Sequence, residues 1–540
     1  MERIWQKQYG HIPKEIETTG TVVDLLNEAV ARWGDKPAFH GLNVNLSFNE
    51  VDRLSRDVAA WLQSTLGVKK GDRIAVMMPN LLVHPVISFG IIRAGAIQVN
   101  VNPLYTPREL GHQLNDSGSE TIFIFNQVTP TLAACLEQTC VKNIVTTGLF
   151  DLCDLQAPNP PVHPDIAGRS VKLPAVLTAG ADLSFTAPDI TPSDLIFLQY
   201  TGGTTGLSKG AMLSHGNLMN NIASFEAWIQ PSLQPGEEVI ITALPLYHIF
   251  ALMVNFLCYF KLGAHNVLIA NPRDLPALVA EWKKWRVTVF TGVNTLFVGL
   301  LGTPGFDACD FSKFKVCFGG GSAVQAPVSK RWQAVTGLNI VEGYGLSETS
   351  PIVSANLVTA KDFTGTIGLP FPSTDFSFRD DDGKEVAVGQ TGEICIKGPQ
   401  VMSGYWGREE SNHEVFTPDG YFRTGDIGFI NEEGYVRIVD RKKDMILVSG
   451  FNVFPNEIED VLAGMDTLVE SACVGIPDDK TGEAVKVYCV KKSPDVTAED
   501  VQAFCRANLT AYKVPKHVAF IEALPKSTVG KVLRRELRNV

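Results

Sequence analysis

The chain has 540 residues, 45% of them hydrophobic and 19% charged, with a formal net charge of −11. That is enough apolar material for roughly two to four domains of about 150 residues each, and it excludes extensive disorder. The acidic balance argues against a dedicated nucleic-acid binder, and ten cysteines without any C-x-x-C pair exclude a disulfide scaffold or a cysteine-based metal site.

The first residues, MERIWQKQYGHIPKEIE, lack the apolar core of a signal peptide. TVVDLLNEAVARWG predicts an amphipathic helix ending at Gly34, and VDRLSRDVAAWLQSTLG predicts a second. Strand DRIAVMMPN, a helix around PVISFGIIRAG, strand AIQVNVNP, helix RELGHQLNDSG and strand TIFIFN follow. Helices alternating with wholly apolar strands imply a mostly parallel sheet covered on both faces. The proline-bearing stretch from Asp154 to Pro192 is read as a connecting segment.

The pattern resumes with the buried strand DLIFLQY, then GAMLSH, with Ser214 as N-cap of a helix over NLMNNIASFEAWI. VIITALPLYH, HNVLIA, VTVFTGV and KVCFGGG predict further strands, and ligand sites in open α/β sheets collect at such strand ends. The longest apolar run, IFALMVNFLCYF, ends at Lys261, short of the about 20 residues a bilayer requires. A soluble cytoplasmic protein is expected.

After about residue 365, short hydrophobic runs between glycine turns predict a small β-rich subdomain. Beyond the charged run RKKD lies a helix opened by Pro455, with Glu457, Glu459 and Asp460 near its positive end. The expected architecture is α/β: a large domain over 1–440 made of mostly parallel sheets, flanking helices and the β-rich subdomain, then a small mobile α/β domain over 441–540.

Directly after the strand DLIFLQY stands YTGGTTGLSKG, residues 200–210. Glycines let backbone N–H groups approach a ligand, while threonine hydroxyls and a lysine add donors and charge, a combination suited to a polyphosphate. It is not a Walker loop, because Lys209 follows Ser208 and precedes Gly210, and a strand comes before any helix. Four further stretches carry glycines or charges in a row: GGGSA (319–323), EGYGLSETS (342–350), YFRTGDIG (421–428) and DRKKD (440–444). The C-terminal stretch LPKSTVGKVLRREL adds Lys531 in a P-K-x-x-x-G-K pattern. Each alone reads more readily as a turn, a solvated charge run or surface decoration.

Together, in this order, these motifs resemble those of the adenylate-forming enzymes, which include acyl-CoA synthetases, luciferases and peptide-synthetase adenylation domains. The likeness spans nearly the whole chain. NPLYTPRELGHQLNDSG, TALPLYHIFAL, TGVNTLF and IVDRKKDMILVSGFNVFPNEIEDV resemble the bacterial long-chain fatty acid–CoA ligases in particular. The resemblance implies ATP-dependent activation of a long-chain fatty acid to acyl-AMP and then acyl-CoA, with Mg2+ as cofactor and ATP and CoA as co-substrates.

By that resemblance Tyr200, Thr201, Gly202, Gly203, Thr204, Thr205, Gly206 and Lys209 hold the phosphates. Glu348, with Thr201, holds the metal. Gly320, Gly321, Glu342, Tyr344, Ser347, Asp426 and Arg441 surround adenine and ribose. Phe250, Val293 and Gly319 line the acyl pocket, and His248, near the CoA entrance and the acyl pocket, joins Lys531 and Glu348 as a catalytic candidate. Lys443 is the hinge of the small domain, Gly450 borders the CoA tunnel, and Lys531 serves adenylation. Arg534, Arg535 and Arg538 are read as a solvated helix face.

Ser347 stands where the family more often has Thr, and Tyr421-Phe422-Arg423 where fatty-acyl members often have Trp-Leu-His. A ligase for medium-chain or aryl acids, an enzyme passing acyl-AMP to another acceptor, and an ATP-binding switch without chemistry remain as alternatives. A homodimer and peripheral contact with the inner face of the membrane are both compatible with the resemblance.

Overall fold

The computed structural model describes residues 3–153, 157–201, 208–449, 451–527 and 530–538. Two large sheets dominate the first part of the chain. One runs Ser170–Lys172, Asn143–Thr147, Thr121–Phe125, Arg73–Met77, Ile97–Val101, Leu195–Thr201, Lys209–Ser214. All its neighbours are parallel except the final pair, a hairpin.

The other sheet is parallel from Val341–Gly345 through Val316–Gly319, Val289–Gly292, Val239–Thr242 and His265–Leu268 to Pro37–Gly41. Antiparallel strands close both its edges. The mostly parallel α/β arrangement expected from the sequence is therefore what the chain adopts. Helices fill the space around both sheets, where Phe39, Phe48, Phe89, Phe256 and Phe260 form one buried aromatic cluster with neighbouring centroids 4.6–5.7 Å apart.

Helix starts follow the predicted chemistry. Ser214 caps His215–Ile229 by accepting from the Asn217 N–H at 3.1 Å, and Asn217 returns the bond to the Ser214 N–H. Pro455 opens Pro455–Ala463.

The stretch from 157 to 192 is more ordered than its prolines suggested. It holds the edge strand Ser170–Lys172 and the helix Leu173–Ala181, which packs on the helix Phe48–Ser64. Pro174 here sits in the first turn of a helix, where a missing N–H does no harm, so proline marks a start and not a linker. The close approach needs Gly180, whose Cβ would fall 2.0 Å from the Asp57 carbonyl oxygen. The run ALMVNFLC folds as a π-helix, Ala251–Cys258, buried throughout, and VIITALPLYH is extended only over Val239–Thr242. No helix among the described residues is long and apolar enough to cross a membrane, and all ten cysteines are free.

An antiparallel sheet of Asp375–Arg379, Gly392–Lys397, Phe422–Ile430 and Val436–Arg441 forms the β-rich part. The last hundred residues build a separate sheet from Ile446–Val448, Phe451–Val453, Leu468–Asp478, Gly482–Lys491 and His517–Phe520, with its own core around Ile446, Val453, Ile458, Leu462 and Val487. The short stretch Lys442–Met445 is all that separates strand Val436–Arg441 from this last sheet.

Candidate active site

The parallel strands ending at Gly292, Gly319 and Gly345 open onto a cleft that the C-terminal segment closes. Gly320 and Gly321 leave its floor flat. A Cβ on Gly320 would meet the Gly343 carbonyl at 3.1 Å and the Phe250 ring at 3.3 Å, and one on Gly321 would lie 3.6 Å from Lys531 Cε. Gly319 differs, since its Cβ would enter the core 2.7 Å from both Ile340 and Val324. Glu342 is buried and accepts from the Val324 N–H at 3.0 Å, bracing this turn; burial raises its pKa to about 8.

Residues far apart in the chain meet above that floor. The Tyr344 hydroxyl donates to Asp426 Oδ2 at 2.5 Å, and Arg441 Nε lies 3.0 Å from Asp426 Oδ1. Asp426 and Arg441 are cross-strand partners in the antiparallel sheet, so register alone sets their pairing. Burial raises the Tyr344 phenol well above its ordinary pKa, with the Asp426 charge adding to it. The Asp426 charge holds the Arg441 pKa above its usual value.

Lys531 enters the same cluster from the small C-terminal sheet. Burial, seconded by Arg441, lowers its pKa to about 8, while Asp426 and Glu348 pull the other way. His248 is held neutral, near pKa 3, by burial and then by the Lys531 charge, and its Nδ1 accepts from the Phe250 N–H at 3.3 Å. Lys443 is exposed, yet desolvation and Arg441 lower its pKa. Phe250 and Val293 stand on the apolar side of the cleft, next to Gly320 and Gly321. Ser347 is half-buried one residue before Glu348.

The arms of the glycine loop are fixed by several side chains. Thr201 pairs with Lys209 across the hairpin. The Tyr200 hydroxyl donates to Asp116 at 2.7 Å, Arg408 also pairs with Asp116, and a Cβ on Gly210 would sit 2.9 Å from the Tyr200 ring. His112 Nε2 lies 3.0 Å from the Ser208 carbonyl oxygen. Lys209 donates to Ser411 Oγ at 2.9 Å, with its ammonium 5.4 Å from the centre of the Tyr405 ring. Gly202, Gly203, Thr204, Thr205, Gly206 and Gly450 lie outside the described residues.

Tyr405 also donates its hydroxyl to Glu348 Oε1 at 2.7 Å, and both residues are buried. Asn412 clamps Tyr405 at its N–H and its carbonyl. Sequence reasoning missed Tyr405, Asp116, Arg408 and Ser411. Tyr405 stood in the glycine turn MSGYWG, with Arg408 and Ser411 just after it, and Asp116 in the helix RELGHQLNDSG, where nothing local pointed to a loop 84 residues on.

Arg535 and Arg538 are exposed, as expected of a solvated face, but Arg534 is not, and both Arg534 and Arg538 are paired. Arg534 donates to Glu459 at 2.8 Å and to Asn456 at 2.7 Å, and Arg538 donates to Asp444 at 2.8 Å. The short helix Arg534–Leu537 folds back onto the start of the small domain, where Arg534 meets the half-buried Glu459 and Arg538, just past the helix, meets the buried Asp444.

No cluster of three or more His, Cys, Asp or Glu side chains able to hold a metal occurs among the described residues. One buried carboxylate with an oxygen beyond Tyr405's reach, beside a phosphate-type loop, suits Mg2+. That ion commonly takes one or two carboxylates and completes its shell with phosphates and water.

Comparison with known proteins gives this arrangement a context. Residues 26–406 match the AMP-binding enzyme family, and residues 457–531 match the AMP-binding enzyme C-terminal domain. A long-chain-fatty-acid–CoA ligase of Escherichia coli is 48% identical over all of this chain and 98% of its own length. The structure of ATP-bound MatB from Rhodopseudomonas palustris, 28% identical, superposes with a TM-score of 0.82 over 96% of this chain and 99% of that one. The fold is also that of the anthranilate CoA ligase AuaEII in complex with anthranoyl-AMP, at a TM-score of 0.86, 22% identity and 98% coverage of both chains. With that family model matched over residues 26–406 and a relative 48% identical from end to end, the protein belongs to the AMP-binding enzyme family.

Proposed function

We propose that the protein converts a long-chain fatty acid to its CoA thioester at the expense of ATP, by way of acyl-AMP. The observation that carries this reading is the meeting of Lys531, Arg441, Asp426, Tyr344 and Glu348 in one cleft, in a chain 48% identical from end to end to a long-chain-fatty-acid–CoA ligase.

A carboxylate does not react with a thiol, because oxide would have to leave. In the first step a carboxylate oxygen attacks the α-phosphorus, the bond to the β-phosphate oxygen breaks, and pyrophosphate departs. Positioning and charge neutralisation do most of the work in such transfers. Asp426 accepts from the ribose hydroxyls, held in place by Tyr344 and Arg441, and the Tyr344 ring face packs on adenine beside Gly320 and Gly321.

The loop from Tyr200 to Lys209 cradles the phosphates, and Lys531 bridges the carboxylate and the α-phosphate. Glu348 and Thr201 would hold Mg2+, which when bound neutralises charge on the phosphate oxygens. Phe250 and Val293 keep water from the acyl side. In the second step the CoA sulfur attacks the acyl carbonyl, the bond to AMP breaks, and the thiol proton goes to solvent. AMP is a good enough leaving group that a neutral His248 is no obstacle. The residues beyond Lys443 turn as a small domain between the two steps, withdrawing Lys531 and bringing the stretch around Gly450 to the cleft.

Incubation with ATP, Mg2+ and palmitate, with and without CoA, tests this. Palmitoyl-CoA, AMP and pyrophosphate are expected only when every component is present. Palmitoyl-AMP that CoA fails to consume would overturn the choice of acceptor, and no reaction with palmitate would overturn the choice of acid.

A further inference from the structure

We propose that Thr295 is a positioning residue that docks the turn carrying Lys531 onto the large domain for the acyl-AMP step; this rests on the two-step reading above. Thr295 lies in the first turn of helix Asn294–Gly302, just after Val293. Its hydroxyl donates to the Gly530 carbonyl at 3.3 Å, across 235 residues of chain. The approach is as close as it is because residue 530 is glycine. Gly530 has φ +79°, and a Cβ there would fall 2.5 Å from Thr295 Oγ1 and 3.1 Å from Val293 Cγ2.

The turn on the other side is braced internally. The Ser527 N–H donates to the Lys531 carbonyl at 2.7 Å, the Gly530 N–H donates to the Ser527 carbonyl at 3.0 Å, and the Lys531 N–H donates to Ser527 Oγ at 3.1 Å. Lys526 and Val532 pair antiparallel at its base. These bonds tie Gly530 and Lys531 to Ser527, so fixing the Gly530 carbonyl fixes the origin of the Lys531 side chain. That side chain then runs over Gly321, with Cε 3.6 Å from where a Cβ would stand. Thr295 and Val293 form one wall of a slot, and Gly321 leaves the clearance on the other.

Thr295 makes this bond only while Lys531 is in the cleft. Its removal therefore weakens the step that uses Lys531 and spares the step in which Lys531 has left. Thr295→Val keeps shape and removes the donor. Palmitate-dependent exchange of pyrophosphate into ATP should fall about fivefold to tenfold, the loss expected for one modest hydrogen bond. Formation of palmitoyl-CoA from supplied palmitoyl-AMP and CoA should stay within about twofold. Thr295→Ser should restore exchange. In a Lys531→Ala background Thr295→Val should add nothing, since it acts through that lysine.

Equal loss in both half-reactions, unchanged exchange, or full additivity with Lys531→Ala would overturn the proposal. A second readout needs no chemistry. Thr295→Val should speed deuterium uptake in peptides covering 525–533 while leaving helix Asn294–Gly302 protected, and unchanged uptake in the turn would count against docking. If wild-type protein makes no palmitoyl-AMP, the choice of acid has failed, and the exchange result alone stays tied to it; the deuterium result still decides whether Thr295 docks the turn.

Discussion

The two sides of the cleft are held by different means. The hairpin that bears the glycine loop is bound into the large domain through Tyr200 to Asp116, His112 to the Ser208 carbonyl, Lys209 to Ser411, and main-chain bonds from Met212 and Trp406 to Gly404 and Gly210. Buried Glu348 is tied to the same unit by Tyr405 and by the Met402 N–H on its carbonyl. The turn that brings Lys531 is joined to the large domain by the Thr295 bond and by a lysine whose burial is itself unfavourable to its charge. A many-anchored side keeps its geometry whether or not substrate is present. A lightly anchored one is easier to release, and anionic phosphate would add to the hold that Asp426 and Glu348 already give its cationic tip.

That contrast can be broken most severely at Lys531. Lys531→Ala should cut acyl-AMP formation by about 10²–10³, the range seen when one preorganised charge-stabilising group is removed. Thioester formation from supplied acyl-AMP should hardly change, and equal loss in both would place Lys531 outside the first step. On the fixed side, Asp426→Ala removes the acceptor for Tyr344 and the partner of Arg441. The KM for ATP should rise about 10–100-fold, as for loss of hydrogen bonds to a charged group, with the fatty-acid KM nearly unmoved. A fatty-acid KM that rose in step would mean Asp426 supports the fold of the cleft and not the ribose.

The two sides also differ in how they titrate. Lys531 has a pKa of about 8 when docked without ATP, against 10.5 in the open. Between those values the undocked or unfolded lysine binds more protons than the docked one, so docking strengthens as pH rises through that window and is weakest below it. The charged form that catalysis needs runs the other way. The kcat/KM for ATP in acyl-AMP formation, which reports the free enzyme, should fall about tenfold per pH unit above about 8. Lys531→Arg, charged throughout, should lose that limb, and a limb that survived the substitution would belong to another group.

How much of this was legible in the sequence divides along similar lines. Tyr344, Glu348, Asp426, Arg441 and Lys531 sit inside short stretches that, taken together and in order, resemble a family's motifs, and the alternation of apolar strands with helices pointed to parallel sheets. Thr295 and Asp116 stand in stretches that were read for other features, Arg408 in one that was not read at all, and their partners lie 84 to 292 residues away. No local periodicity or motif encodes a bond of that span. Arg534 and Arg538 misled for a related reason. A basic helix face reads as solvated until the fold brings Asp444 and Glu459 against it. The π-helix over Ala251–Cys258 was equally hidden, because a wholly apolar run has no period to read.

The smallest effect falls on the best-anchored part. Tyr405 gives its hydroxyl to Glu348 and its ring face to Lys209, and Asn412 fixes its backbone. Tyr405→Phe keeps the ring and its packing and deletes one hydrogen bond, worth about 1 kcal/mol. Glu348 is then free to turn, and the expected result is a threefold to tenfold rise in the Mg2+ concentration that half-saturates acyl-AMP formation. Calorimetry should show the same weakening for ATP with Mg2+ and none for ATP without it. The fatty-acid KM and the second half-reaction should be untouched. Because Asn412 and the hairpin pairing remain, the fold has no cause to shift, and melting should move by only a few degrees at most. If the Mg2+ requirement stayed the same while melting fell, Tyr405 would be a strut of the hairpin alone, and the fixed side would owe its geometry to the backbone and not to this phenol.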